Sequence, residues 1–186
     1  SAPEFRFFEV SESTGNLTLT NLTLSNGRYT DEASAILSRG SLAIHDSLIE
    51  YNSGARLVVN DIFDTLEISG TTFANNSGCA LSINNYTTPA TVTNSLFEFN
   101  DSTADGLDVP CGAISVNGLA TISGSTFRNN TAYQGGALAI WHLGDDPIII
   151  SNNVFENNFA RSGGAIRIDD ARVNFTGNRF FGNEAE

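Results

Sequence analysis

The chain has 186 residues and a formal net charge of −12; its nine basic residues are all arginine, and it contains neither lysine nor methionine. An acidic surface without a basic stripe excludes the electrostatics of nucleic-acid and anionic-membrane binding. No apolar run approaches the roughly 20 residues that membrane insertion requires, while 40% apolar residues with 17 glycines suit stacked short strands.

In chain order the segments LTLTNLTL, LAIHDSLI, LEISGTTF, ATVTNSLF, ATISGSTF, IIISNNVF and VNFTGNRF follow one another. Each ends on a large apolar residue: Leu24, Ile49, Phe73, Phe97, Phe127, Phe155 and Phe180, at intervals of 25, 24, 24, 30, 28 and 25 residues. A period in this range marks a solenoid, in which each repeat buries its apolar face only against its neighbours. Five residues before each anchor stand Leu19, Ile44, Ile68, Val92, Ile122, Ile150 and Phe175, all apolar, each followed by Thr, Ser or His. That alternation is the signature of a strand with one face buried.

After each anchor comes a corner and then a second alternating strand, as in FANNSGCALSI from Phe73 and FENNFARSGGAIRI from Phe155. Its expected inward pairs are Leu57 and Val59, Leu81 and Ile83, Ile114 and Val116, Leu138 and Ile140, and Ile166 and Ile168. Three short strands per repeat with tight corners predict an all-β, right-handed, single-stranded parallel β-helix of about seven rungs, the hand following from the rule for parallel crossovers. The unbroken repeat makes residues 1–186 a single domain with no separate cap.

Three residues past the anchor stand Asn52, Asn76, Asn100, Asn130, Asn158 and Asn183, with Gly27 in the first repeat. Asparagine tolerates the left-handed backbone of a sharp corner, and stacked amides can hydrogen-bond from rung to rung. These residues are therefore expected to form a structural ladder rather than a catalytic site. The glycines at 54, 78, 112, 135, 136, 163 and 164 return the chain to the sheet.

Cys79 and Cys111 fall at the same corner of neighbouring rungs, offset by one residue relative to the aligned Ala80 and Ala113. Adjacent rungs bring such Cα atoms within the ~4.4–6.8 Å of a disulfide, so the two are expected to be bonded. Seven N-x-S/T sequons begin at Asn16, Asn21, Asn75, Asn85, Asn100, Asn129 and Asn174. Asn100 belongs to the ladder and should carry no sugar; Asn75 and Asn129, one position earlier in their corners, should face outward and are the better acceptors. Acidity, paired cysteines and sequons together point to an extracellular or cell-surface protein.

The ends carry a further expectation. FRFFEV places Phe8 and Val10 in the columns of Ile114 and Val116, and FFGNEAE stops at the corner before that same strand. The C-terminus of one copy set beside the N-terminus of another would complete a rung, which predicts head-to-tail stacking into an open filament; a segment cut from a longer solenoid would show the same phasing. The absence of methionine at position 1 and of a signal peptide fits a processed or excised chain.

The paired F-x-x-N and G-G-A-I motifs resemble the repeats of chlamydial-type polymorphic outer membrane proteins. The opening FFEVSESTGNLTLTNLTLSNG resembles the start of repeat arrays in large bacterial surface proteins of the pectate-lyase-like, right-handed β-helix class. The resemblance covers essentially the whole chain and implies an exported, surface-exposed β-helix used for adhesion or display. It implies no particular chemistry, because one coil can carry lyases, hydrolases and inert stalks.

Candidate chemistry is sparse. His45 and His142 lie four rungs apart at different corners, so neither a zinc cluster nor a triad can be assembled. The best raw material for glycan cleavage is Asp145, Asp146, Asp169 and Asp170, in comparable connections of consecutive rungs with Arg167 and Arg172 nearby. Such acids more often solvate a turn. Calcium could use these or Asp101, Asp105 and Asp108, although no recognised loop spacing supports it. Trp141, the only tryptophan, could be a sugar platform but more readily caps the local core. The hydroxyl column at 20, 69, 93, 123, 151 and 176 resembles an ice-binding array, but its companion column (Thr18, Ala43, Glu67, Thr91, Thr121, Ile149, Asn174) is too mixed for a lattice match. No catalytic, cofactor or metal residue is therefore assigned. The favoured reading is a non-catalytic structural or adhesive solenoid whose partners are itself, other surface proteins or glycans; a carbohydrate-binding or carbohydrate-cleaving module is the alternative.

Overall fold

The structure, a computed structural model, describes residues 4–29, 33–60, 65–103, 110–142 and 144–186. The chain winds into an all-β, right-handed parallel solenoid of about seven turns. Three seven-stranded sheets run the length of the coil, and each turn contributes one strand to each sheet. Turn five, for example, uses Ala120–Ser123, Thr126–Arg128 and Leu138–Trp141. In the last three turns the corner after the anchor adds a further short strand, giving a small sheet of Thr131–Gln134, Phe159–Ser162 and Glu184–Ala185. All strand pairs are parallel; an isolated bridge between Phe5 and Arg28 is antiparallel.

The expected columns appear as strand registers. Leu24, Ile49, Phe73, Phe97, Phe127, Phe155 and Phe180 are successive partners in one sheet. Their five phenylalanine rings stack with centroids 4.7–5.0 Å apart and planes within 10° of parallel. That distance is the spacing of neighbouring strands, so ring stacking and backbone pairing share one period. Leu19 through Phe175 form a second inward column. The two columns meet the third sheet in one continuous core.

One inward pair differs from the expectation. In the second turn, Val58 and Asn60 align with Leu81 and Ile83 of the third, and Val59 aligns with Ser82 on the other face. The register slips between Ser77 and Cys79, where Ser53–Asn60 carries one more residue than its partner. A bulge of one residue shifts the register of everything beyond it: Val59 leaves its expected column, while Leu57 stays in the main core beside Val58. Val59 instead joins Ala33 and Leu37 in a small separate cluster.

The amide ladder is present. Nδ2 of Asn52, Asn76, Asn100, Asn130 and Asn158 each donates to Oδ1 of the next member, ending on Asn183, at 2.8–3.2 Å. The same Nδ2 groups also donate to anchor carbonyls one turn back, for example Asn130 to Phe97 O at 3.0 Å. The left-handed backbone, however, belongs to the residue before each ladder member: Asn26, Tyr51, Asn75, Phe99, Asn129, Asn157 and Gly182 have φ between 52° and 66°. The chain turns there, and the following asparagine points inward.

A second ladder lies at the preceding corner. Backbone N–H groups of Leu22, Ser47, Thr71, Ser95, Ser125 and Asn153 donate to the side-chain oxygens of Ser47, Thr71, Ser95, Ser125, Asn153 and Asn178. Its sequence signal is a column of Ser, Thr and Asn two residues before every anchor but the first, where Leu22 stands.

At the N-terminal end Phe7 and Phe8 pack half-buried against the core. In the last turn Ile168, Phe175 and Phe180 are 41–50% exposed.

Candidate functional site

The acidic residues proposed as raw material for catalysis are placed on successive turns, where arginine pairs with Asp169 and Asp145. Asp169 pairs with Trp141 in register at the end of the third-sheet strands. The Arg167 guanidinium donates from Nε to Asp169 Oδ2 and from Nη2 to Oδ1, both at 2.9 Å, and from Nη1 to Ser162 Oγ at 2.8 Å. These bonds hold the Asp169 carboxyl below the ordinary carboxylate range, with help from a hydrogen bond from Trp141, and they raise Arg167. A carboxylate so held is a poor base. Asp145 Oδ1 lies 3.3 Å from Arg172, in an exposed pair. Asp170 has left-handed backbone, φ 51°, and turns the chain. Asp146 lines an open groove of ≈ 460 Å³ with Thr87, Pro89, Leu119, Thr121 and Ile149.

Among the described residues no three His, Cys, Asp or Glu side chains come together as metal ligands. Asp101 accepts from Thr103 N and Oγ1 at 2.8 and 2.6 Å; Asp105 and Asp108 lie outside the described residues. His45 Nδ1 is 2.7 Å from Ser69 Oγ, the hydroxyl beside it on the next turn. His142 is 5% exposed, and neither ring nitrogen has a hydrogen-bond partner.

Cys79 and Cys111 form a disulfide with Cα atoms 5.3 Å apart, both fully buried. Because Leu81 pairs with Ile114, Cys79 stands opposite Gly112, and the bond reaches diagonally by one residue between turns. Trp141 packs against this disulfide, with Ala139 and Ala55 beside it. The ring covers a core cluster and its N–H serves Asp169, so the tryptophan is in use where it stands.

The sequons divide by burial. Asn16, Asn21, Asn75 and Asn174 are exposed and Asn129 is half-buried, whereas Asn100 is fully enclosed in the ladder. Asn85, expected as an acceptor, is also 0% exposed. Its side chain has no surface through which an oligosaccharide could leave, which removes it from the set.

The sequence reading overlooked two exposed aromatic residues at the ladder corner, Tyr51 and Phe99. In the string they look like ordinary apolar letters; only the backbone shows that they occupy a column otherwise filled by asparagine and glycine.

No curated protein and no solved structure matches the chain. A family model described as a right handed beta helix region matches residues 64–186. That family holds both glycan-cleaving enzymes and proteins without catalysis. The match spans more than half of the chain and agrees with the coil described above: the chain belongs to the right-handed β-helix family.

Proposed function

We propose that the chain is a non-catalytic, extracellular structural or adhesive β-solenoid. The observation that carries this reading is the use made of its polar groups. Two ladders tie each turn to the next, and two of the four acids best placed for glycan cleavage, Asp169 and Asp145, are paired with Arg167 and Arg172. The buried disulfide supports an oxidising compartment, and the resemblance to outer membrane repeats supports display at a surface. The test is secretion of the native protein followed by non-reducing mass analysis. An exported chain with no free thiol is expected; a cytosolic chain with two free thiols would overturn the extracellular assignment.

Self-association along the axis is part of the same proposal. Phe8 and Val10 occupy the columns of the third sheet, and the last turn exposes Ile168, Phe175 and Phe180, which a neighbouring turn would cover. Light scattering and electron microscopy should show head-to-tail filaments as concentration rises. A monomer at all concentrations would refute it. The enzymatic alternative requires activity on polyuronates that disappears in Asp169→Asn and Asp170→Asn.

A further inference from the structure

Tyr51 and Phe99 adopt the left-handed backbone, each with φ 53°. A bulky residue in that region is a genuine outlier, costing on the order of 1–3 kcal/mol. The corner does not require them, since the five other turns place Asn26, Asn75, Asn129, Asn157 and Gly182 at the same point. Burial does not compensate either: Tyr51 is 57% exposed and Phe99 52%. The preceding corner, with the same backbone, contains no aromatic residue among Asn21, Asp46, Gly70, Asn94, Gly124, Asn152 and Gly177. Two strained, solvent-facing rings thus share one column, and a structural account does not explain them.

Their surroundings specify a ligand chemistry. The rings stand two turns apart, about 9.6 Å at the normal strand spacing, with the exposed amide of Asn75 between them. On one flank the small, buried Ala74 stands in register between Glu50 and Glu98, and Glu98 is held by Arg128 Nε at 2.7 Å. On the other, Ser77 pairs with Asp101, whose carboxylate Thr103 fixes at 2.6 Å. Aromatic faces accept the apolar C–H face of a pyranose, while preorganised carboxylate, amide and guanidinium groups bond its hydroxyls. In an extended β-linked glycan, every second sugar presents the same face, so a row of platforms two turns apart meets alternate sugars of one chain.

We infer that Tyr51, Asn75 and Phe99 form a binding strip for an extended β-linked glycan of another molecule, lying along the solenoid axis. This gives a ligand class to the adhesive role proposed above and rests on that role only for the medium the corner faces; the binding itself is independent of export and of filament formation.

The test uses unglycosylated full-length protein with cellohexaose, chitohexaose and xylohexaose as probes in titration calorimetry. At least one should bind, and Tyr51→Asn or Phe99→Asn should each weaken it by about tenfold, the loss expected for one ring contact. Asparagine is the residue that other turns use there, so both variants should melt at or above the wild-type temperature; Tyr51→Trp should retain binding. The inference is overturned if no probe binds, or if binding survives both substitutions. It is equally overturned if the variants melt lower, which would mean the rings serve packing, or if the strip retains a protein instead of glycans. An oligosaccharide attached to Asn75 of the native chain, with no free glycan bound by the bare chain, would assign the rings to the protein's own sugar and refute it.

Discussion

Replacing Asn130 by alanine is the sharpest test of what holds the coil together. Its amide makes four buried hydrogen bonds: Nδ2 donates to Phe97 O and Asn158 Oδ1, both at 3.0 Å, and Oδ1 accepts from Asn100 N at 3.1 Å and Asn100 Nδ2 at 2.9 Å. Alanine leaves the Asn100 backbone N–H and one Asn100 amide hydrogen without partners in a site of 0% exposure, and removes the side-chain donor from the Phe97 carbonyl, which keeps its strand pairing. At about 1–3 kcal/mol for each stranded group, eased by any water that enters, the loss is about 2–6 kcal/mol. That is a large fraction of the 5–15 kcal/mol typical of a folded domain, and each kcal/mol lowers the melting temperature by about 2–4 °C at this size. Asn183→Ala is the control. Asn183 stands half-buried in the last turn; its loss frees the N–H and one amide hydrogen of Asn158, which water admitted at that exposed side chain can reach, so it should cost less, about 1–2 kcal/mol. Urea unfolding followed by circular dichroism measures both, and hydrogen exchange of the Asn100 amide should accelerate selectively in Asn130→Ala. Equal losses at the two positions would refute the claim that buried amide pairing stabilises the interior turns.

His142→Leu should raise stability by about 1–2 kcal/mol, because it removes two buried ring nitrogens that have no partner; thermal melting checks this. Asp169 has a lowered folded pKa, so its ion pair contributes stability above the ordinary carboxylate value, and that contribution disappears as pH falls through the lower folded value. Asp169→Asn should therefore flatten the acid limb of urea midpoints against pH and leave the neutral-to-basic limb unchanged in shape. Glycopeptide mapping of secreted protein should find no sugar at Asn85 or Asn100, which are fully buried; sugar on Asn100 would contradict the ladder.

The repeat, the strand columns and the ladder positions were all legible in the sequence. A solenoid places each residue beside its counterpart one period away, so a one-dimensional alignment of Leu24 to Phe180 already lists spatial neighbours. The same logic located Cys79 and Cys111 at one corner of neighbouring turns, one residue out of register. What the tertiary structure alone decided depends on faces and dihedrals, which letters do not carry. The one-residue bulge in Ser53–Asn60 brought Val58 and Asn60 into line with Leu81 and Ile83 and moved Val59 into a separate cluster, while Leu57 kept its place in the main core. Burial of Asn85 follows from its turn rather than from its sequon. Arg167 reaches Asp169 because strand residues two apart face the same way, a contact that turns a candidate base into an ion pair. Tyr51 and Phe99 became conspicuous only when the backbone showed φ of 53° and the rings stood in solvent, since strain and exposure are properties of the folded chain and not of the residues themselves.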